Sequence, residues 1–200
     1  NCVDRATYET YITTAATDKA FCGGLLMDSV SAGGKMVWHW LLNESIPTYL
    51  ASVAVSNYTS ISYTYNGIAG DFPVILAVRP TDSARISLVF ANLSDAIGAF
   101  EQAWGAQPFS RVGYAMVPFN GGAMEHATNI AFPAGTQANI GGELLMAHEL
   151  GHHWFGDWVT CSTAEDMWLN EGWASYCEKI YLESVYGKAD YTKEVRSNHE

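Results

Sequence analysis

The chain has 200 residues, 48% of them hydrophobic and 16% charged, with a formal net charge of -11 at neutral pH. That length supports a packed core without disulfide staples, and 7 Trp, 11 Tyr and 8 Phe exclude a disordered chain. The longest apolar runs, such as residues 73–78, fall far short of the roughly 18 residues of a membrane span, and the acidic balance leaves no basic patch for phosphates, so neither a membrane span in this segment nor a nucleic-acid partner is expected.

In chain order, the first 80 residues read as β-structure. Residues 7–14 alternate, with Tyr8, Thr10 and Ile12 on one face. Residues 35–42 and 48–56 are rich in Val, Trp, Leu and Tyr, 60–65 alternate again, and 72–78 form a short apolar run. Gly, Asn, Asp and Pro punctuate these stretches, which predicts a sheet or sandwich. The period changes after Arg79-Pro80. Ile86, Val89, Phe90, Leu93, Ile97, Phe100 and Trp104 step by three and four, predicting one amphipathic helix over 83–104, capped by Thr81 or Asp82. Strands at 111–119 and 129–132 follow, then helices over 143–155 and 170–186, the last closed by Gly187. The fold class is α+β, with a β-sheet or sandwich portion over residues 1–80 and a second domain over 81–200.

The sequence opens without Met or a signal segment and closes on residues 197–200 without a helix cap, which reads as a piece of a longer protein. Cys2, Cys22, Cys161 and Cys177 include no CxxC pair, so a zinc ribbon or thioredoxin-type site is not supported; two disulfides and four buried thiols fit the count equally. Asn43, Asn57 and Asn92 each open a glycosylation triplet, and the reading of the compartment leans extracytoplasmic.

The strongest chemical signal is His148-Glu149-Leu150-Gly151-His152. Residues four apart share one helix face, so two imidazoles converge on one metal ion. Glu149, beside the first ligand, is placed to take a proton from a metal-activated water without coordinating the metal. A catalytic zinc needs a third protein ligand and an open position. Glu171, eighteen residues after His152 in Trp168-Leu169-Asn170-Glu171-Gly172-Trp173-Ala174, is the candidate, presented by a helix returning antiparallel. No third His replaces it, because position 158 is Trp and His199 is remote.

The HExxH motif with Glu171 after an eighteen-residue gap resembles the gluzincin peptidases, and specifically the aminopeptidase N family. Gly122-Ala123-Met124-Glu125-His126 is similar to that family's Gly-Ala-Met-Glu-Asn, and residues 46–55 resemble the end of its N-terminal β-domain. The resemblance covers nearly the whole chain. It implies the end of an N-terminal β-domain over 1–80 and a thermolysin-like catalytic domain over 81–200. It implies one zinc ion per chain on His148, His152 and Glu171, with Glu149 as general base. Peptides with a free N-terminus are the implied substrates, the α-ammonium anchored by Glu125. An edge strand at 121–124, with Gly122, Ala123 and Met124, is expected to hold substrate backbone by β-augmentation.

His126 stands where the family has Asn, and a larger ring that titrates near neutrality bears on the edge strand or the first substrate residue. His153 reads as a support or packing residue and His39 as structural. Asp157, Asp166 and Asn170 are the nearby candidates to orient the ligand histidines. Trp154, Phe155, Trp158, Trp168 and Trp173 read as core with some substrate wall, and a Cys161–Cys177 disulfide would staple the Glu171 helix. The family's oxyanion-binding tyrosine is expected beyond residue 200, since Tyr181, Tyr186 and Tyr191 lie too close to the ligand helix. Without it the chain would bind zinc yet turn over about 10²–10³-fold more slowly. Two rivals remain at this point: a zinc endopeptidase or other hydrolase on the same scaffold, and a non-catalytic, metal-stabilised binding module.

Overall fold

The computed structural model of the chain describes residues 3–197, which leaves Cys2 and His199 outside the described residues. Seven strands come first: β1 (Arg5–Ala15), β2 (Lys19–Cys22), β3 (Leu25–Ala32), β4 (Lys35–Pro47), β5 (Val53–Ser56), β6 (Thr59–Gly67) and β7 (Gly70–Val78). Then come α1 (Ser83–Val89), α2 (Leu93–Trp104), β8 (Val112–Val117), β9 (Ile130–Pro133), α3 (Ile140–Gly151), α4 (Met167–Tyr186) and α5 (Lys188–Ser197). The strands form a three-stranded antiparallel sheet β1-β4-β3, a two-stranded β2-β5 ribbon and a four-stranded sheet β6-β7-β8-β9. In the last, β6 and β7 are antiparallel, while β7-β8 and β8-β9 are parallel. No helix among the described residues is long and apolar enough to cross a membrane.

A parallel pair needs a crossover of about a dozen residues or more. Between β7 and β8 that crossover is helical, and α1 and α2 bury Ile86, Val89, Leu93, Ile97 and Phe100 against Val74, Leu76, Tyr114 and Phe132. Between β8 and β9 it is a loop over residues 118–129, and this loop carries the Gly-Ala-Met-Glu-His motif. The largest core thus joins β6–β9 to α1–α4. Residue 80, where the period changes, falls inside this unit, since strands on both sides of it share one sheet and one core. The change of period marks the switch from hairpin to crossover, while the earlier strands pack in two smaller clusters, one shared with Ala77 of β7 and Ala115 of β8 and the other with Phe109 and Ala127.

Several local expectations are corrected. The helix over 83–104 is two helices: the backbone leaves the helical region at Phe90 and Asn92, and Phe90 thereby packs edge-on against Tyr114 and Phe132. Asp82 caps nothing, because its carboxylate pairs with Arg79 (3.1 Å) and Arg85 (2.9 Å). Residues 48–50 are a 3₁₀ turn rather than strand. Strands β2 and β3 and helix α5 were not anticipated. The Cys161–Cys177 staple is not made: Cys177 is a buried free thiol packed on Gly151. The Asn92 amide faces inward, donating to Glu143 (3.2 Å) and Tyr181 (3.4 Å).

Candidate active site

Helix α3 starts where Asn139 accepts the Gly142 N–H on its side chain at 3.1 Å, a standard N-cap. It ends at Gly151, and the chain turns back through Gly156, whose φ of 134° and closeness to His152 admit no side chain: a Cβ there would lie 2.9 Å from His152 Nδ1. Helix α4 packs against α3 at Gly151, where a Cβ would meet Cys177 Cβ at 2.7 Å and Ala174 Cα at 3.4 Å. The glycine is what lets the two helices approach closely enough to bring Glu171 to the histidine pair.

His148 Nε2 and His152 Nε2 lie 3.2 Å apart; Glu171 Oε2 is 3.2 Å from the first and 3.6 Å from the second. A tetrahedral zinc with ligand distances of about 2.0–2.1 Å sets its ligand atoms about 3.3 Å apart. The donor triangle therefore has the size and chemistry for zinc. The remaining imidazole nitrogens are also engaged: His148 Nδ1 with Glu178 Oε1 at 2.8 Å, and His152 Nδ1 with the Phe155 carbonyl at 3.0 Å. Each bond fixes the ring so that Nε2 faces the triangle. Neither partner was among the expected candidates. Asn170 is occupied with the Cys161 N–H and Met167, and Asp166 with Thr163. Asp157 is fully buried with both carboxylate oxygens unpartnered. Glu178 was recoverable from sequence, since it lies two turns along α4 from Glu171; a backbone carbonyl carries no such signal.

A second acidic group adjoins the triangle, with ligand atoms of Glu125, Glu149 and His152 within 4.8 Å of one another. Glu125 is buried just after Met124, which pairs with Ala131 of β9 through two bonds of 2.9 Å. The expected edge strand at 121–124 shrinks to that single bridge; Gly122 and Ala123 lie outside any strand, and Gly122 is exposed with φ of 67°. Glu149 Oε2 is buried without a hydrogen-bond partner. Burial pushes the Glu149 carboxyl up to about 7; His152 and His148 pull it back, and Glu125 and Glu171 add to the rise. Burial opposes charge on His148, but hydrogen bonds with Glu171 and Glu178 outweigh it and lift the ring to about 10. The same histidine bonds hold Glu171 well below the usual carboxylate range. Burial, with Glu125 and Glu149 adding to it and Arg5 opposing, drives the Asp157 carboxyl well above the usual range. Carboxylates thus outnumber cations around the imidazoles, the setting a bound cation relieves.

The other singled-out residues fall in several places. His153 is fully buried behind His152, and burial, then His152 and Arg111, lower it to about 3. His126 is half-buried with Nδ1 unpartnered, and burial lowers its pKa. His39 lies on the β1-β4-β3 sheet between Glu9 and Asp28, stacked on Tyr11. Trp154 is core, Phe155 stacks on Trp173, and Trp158 and Trp168 are exposed. Tyr181 and Tyr186 both bond to Glu143 Oε2.

Comparison with known proteins places this geometry in context. Residues 114–200 match the peptidase family M1 domain. The chain is 31% identical over 163 residues to a glutamyl aminopeptidase of Rattus norvegicus (74% of this chain, 17% of the relative). It is 29% identical over 154 residues to an aminopeptidase N of Streptomyces lividans (71% and 18%). A two-domain M1 zinc metallopeptidase bound to L-tryptophan superimposes with a TM-score of 0.86 at 24% identity, covering 97% of this chain and 44% of that one. An M1 zinc metallopeptidase of Deinococcus radiodurans bound to a Tyr-Ser-Ala substrate gives a TM-score of 0.83 at 24% identity, with the same coverage of both chains, 97% and 44%. The chain thus spans under a fifth of those two relatives, at 17% and 18% of their length, and under half of the solved structures, at 44%.

Proposed function

The chain belongs to peptidase family M1, the aminopeptidase N family, and from that premise we propose that it works as a zinc-dependent aminopeptidase, removing residues from the free N-terminus of peptides. In this reading His148, His152 and Glu171 hold one zinc ion per chain. Bound there, zinc polarises the scissile carbonyl and lowers the pKa of water toward about 7. Glu149 takes the water proton on its unpartnered Oε2 and returns it to the departing amine. Glu125 binds the substrate α-ammonium, and the Met124 bridge to β9 steadies that carboxylate. The division of the chain then falls ahead of β6, with β6–β9 and the helices forming the thermolysin-like domain.

The observation that carries the reading is the convergence of carboxylates at the site. Glu125, Glu149 and Glu171 converge on two imidazoles, while Glu178 is offset by Lys179 at 3.2 Å. A divalent metal and one ammonium group are the cationic partners that three converging carboxyl groups call for. An endopeptidase, whose substrate chain continues past that point, has no use for a buried Glu125. A binding module has no use for an unpartnered Glu149. Glu149→Ala is expected to keep stoichiometric zinc and lose amino-acid anilide hydrolysis by about 10²–10⁴-fold; normal hydrolysis would remove Glu149 as the base.

A further inference from the structure

We propose that His153 is a positioning residue: by accepting the Thr128 N–H, it fixes the distance between Glu125 and the ligand histidines, and so sets the affinity for a free peptide N-terminus. The inference rests on the function proposed above. His153 follows His152 directly and is 0% exposed. Its Nε2 lies 3.4 Å from the Thr128 N–H, its Nδ1 lies 2.7 Å from the Gln107 carboxamide, and Phe109 packs edge-on against the ring at 5.2 Å.

Thr128 is three residues past Glu125 and is the one non-glycine residue with positive φ (61°) among the described residues. A β-branched residue adopts that conformation only where its surroundings enforce it. Here every polar group of Thr128 is held by a different segment of the chain. The N–H goes to His153. Oγ1 accepts from the Gly24 N–H at 2.7 Å, and the carbonyl accepts from Arg111 Nε (3.0 Å) and Nη2 (2.5 Å). Glu125 therefore sits between two fixed points, the Met124 bridge on β9 and Thr128. Among the described hydrogen bonds to this loop, the His153 bond alone reaches the segment that carries the ligand pair.

A ring nitrogen that receives the Thr128 N–H holds no proton of its own, and a neutral imidazole cannot accept at both nitrogens. Nδ1 then carries the proton and donates, which sets the Gln107 carboxamide oxygen against it. An apolar residue of similar size would fill the space but leave a buried N–H without an acceptor on a residue held in an unfavourable conformation.

The test uses the full-length, zinc-loaded protein and an amino-acid anilide with a free α-amine. His153→Leu should raise KM about tenfold, with kcat within about twofold and zinc content unchanged, because Glu125 acts equally on ground and transition states. His153→Gln, which can still accept from Thr128, should restore most of the loss. In a Glu125→Ala background, H153L should add nothing. Independently of activity, nitrogen-15 NMR of the unmutated protein should show His153 as the Nδ1–H tautomer and the Thr128 amide as slow to exchange. Additive losses on the Glu125→Ala background, a fall in kcat at constant KM, or an Nε2–H tautomer would each overturn the assignment. If the unmutated enzyme cleaves an N-acetylated substrate equally well, the aminopeptidase reading fails. The tautomer and the amide exchange then still decide whether His153 ties the loop to the ligand helix.

Discussion

Gly151→Ala tests how the fold builds the proposed metal site. The added methyl would lie 2.7 Å from Cys177 Cβ and 2.8 Å from its sulfur, where ordinary contact begins at 3.4 Å. Relief requires α4 to move away from α3 by about 0.6–0.7 Å, because the neighbour at 2.7 Å is fixed close to the backbone. Metal–ligand distances tolerate about 0.2 Å, and Glu171 rides on the displaced helix while His148 and His152 do not. Zinc affinity should fall by about 10–100-fold, as when a ligand loses its support. Overpacking should destabilise the metal-free protein by about 1–3 kcal/mol, or about 2–4 °C in melting temperature per kcal/mol. Zinc competition against a chelator, and thermal denaturation with and without zinc, read the two effects separately. The double variant G151A/C177G removes the clashing atoms and should recover part of the affinity. Zinc affinity within twofold of the unmutated protein in Gly151→Ala would refute the idea that this helix contact sets the ligand triangle.

Glu178→Ala should weaken zinc by about 10–100-fold while leaving the three ligands in place, through the loss of the 2.8 Å bond to His148 Nδ1; unchanged affinity in a chelator competition would contradict it. Burial pushes the Cys22 and Cys177 thiols up to about 12. Neither should be alkylated in the folded protein at pH 8, and both should react on denaturation, so rapid labelling of either in native buffer, read by mass spectrometry, would be the contrary result.

The proposed ligands were legible because their chemistry is periodic. His148 and His152 are one helical turn apart, and Glu171 follows in a helix-start context at a spacing that permits an antiparallel return. What supports them was less visible. The Phe155 carbonyl that orients His152 leaves no trace in side-chain identity, and the role of Gly151 depends on what faces it across the helix interface. The break at Phe90–Asn92 was hidden because α1 and α2 face the same core, so the three-four spacing runs through the break. Strand β3 is exposed along its whole length and therefore shows no alternation. The sheet that runs across residue 80 was hidden for a related reason. Hydrophobic period reports the type of element, whereas membership of β6 and β7 in one sheet with β8 and β9 is a matter of nonlocal pairing.

The most direct measurement of the central claim compares one amino-acid anilide with a free α-amine against its N-acetylated twin, using the full-length protein and zinc. Glu125, buried beside Glu149 and the metal ligands, predicts that only the free amine is cleaved, and that removing zinc with a chelator abolishes the reaction. Equal cleavage of the two, or cleavage of neither with zinc bound, would contradict the account.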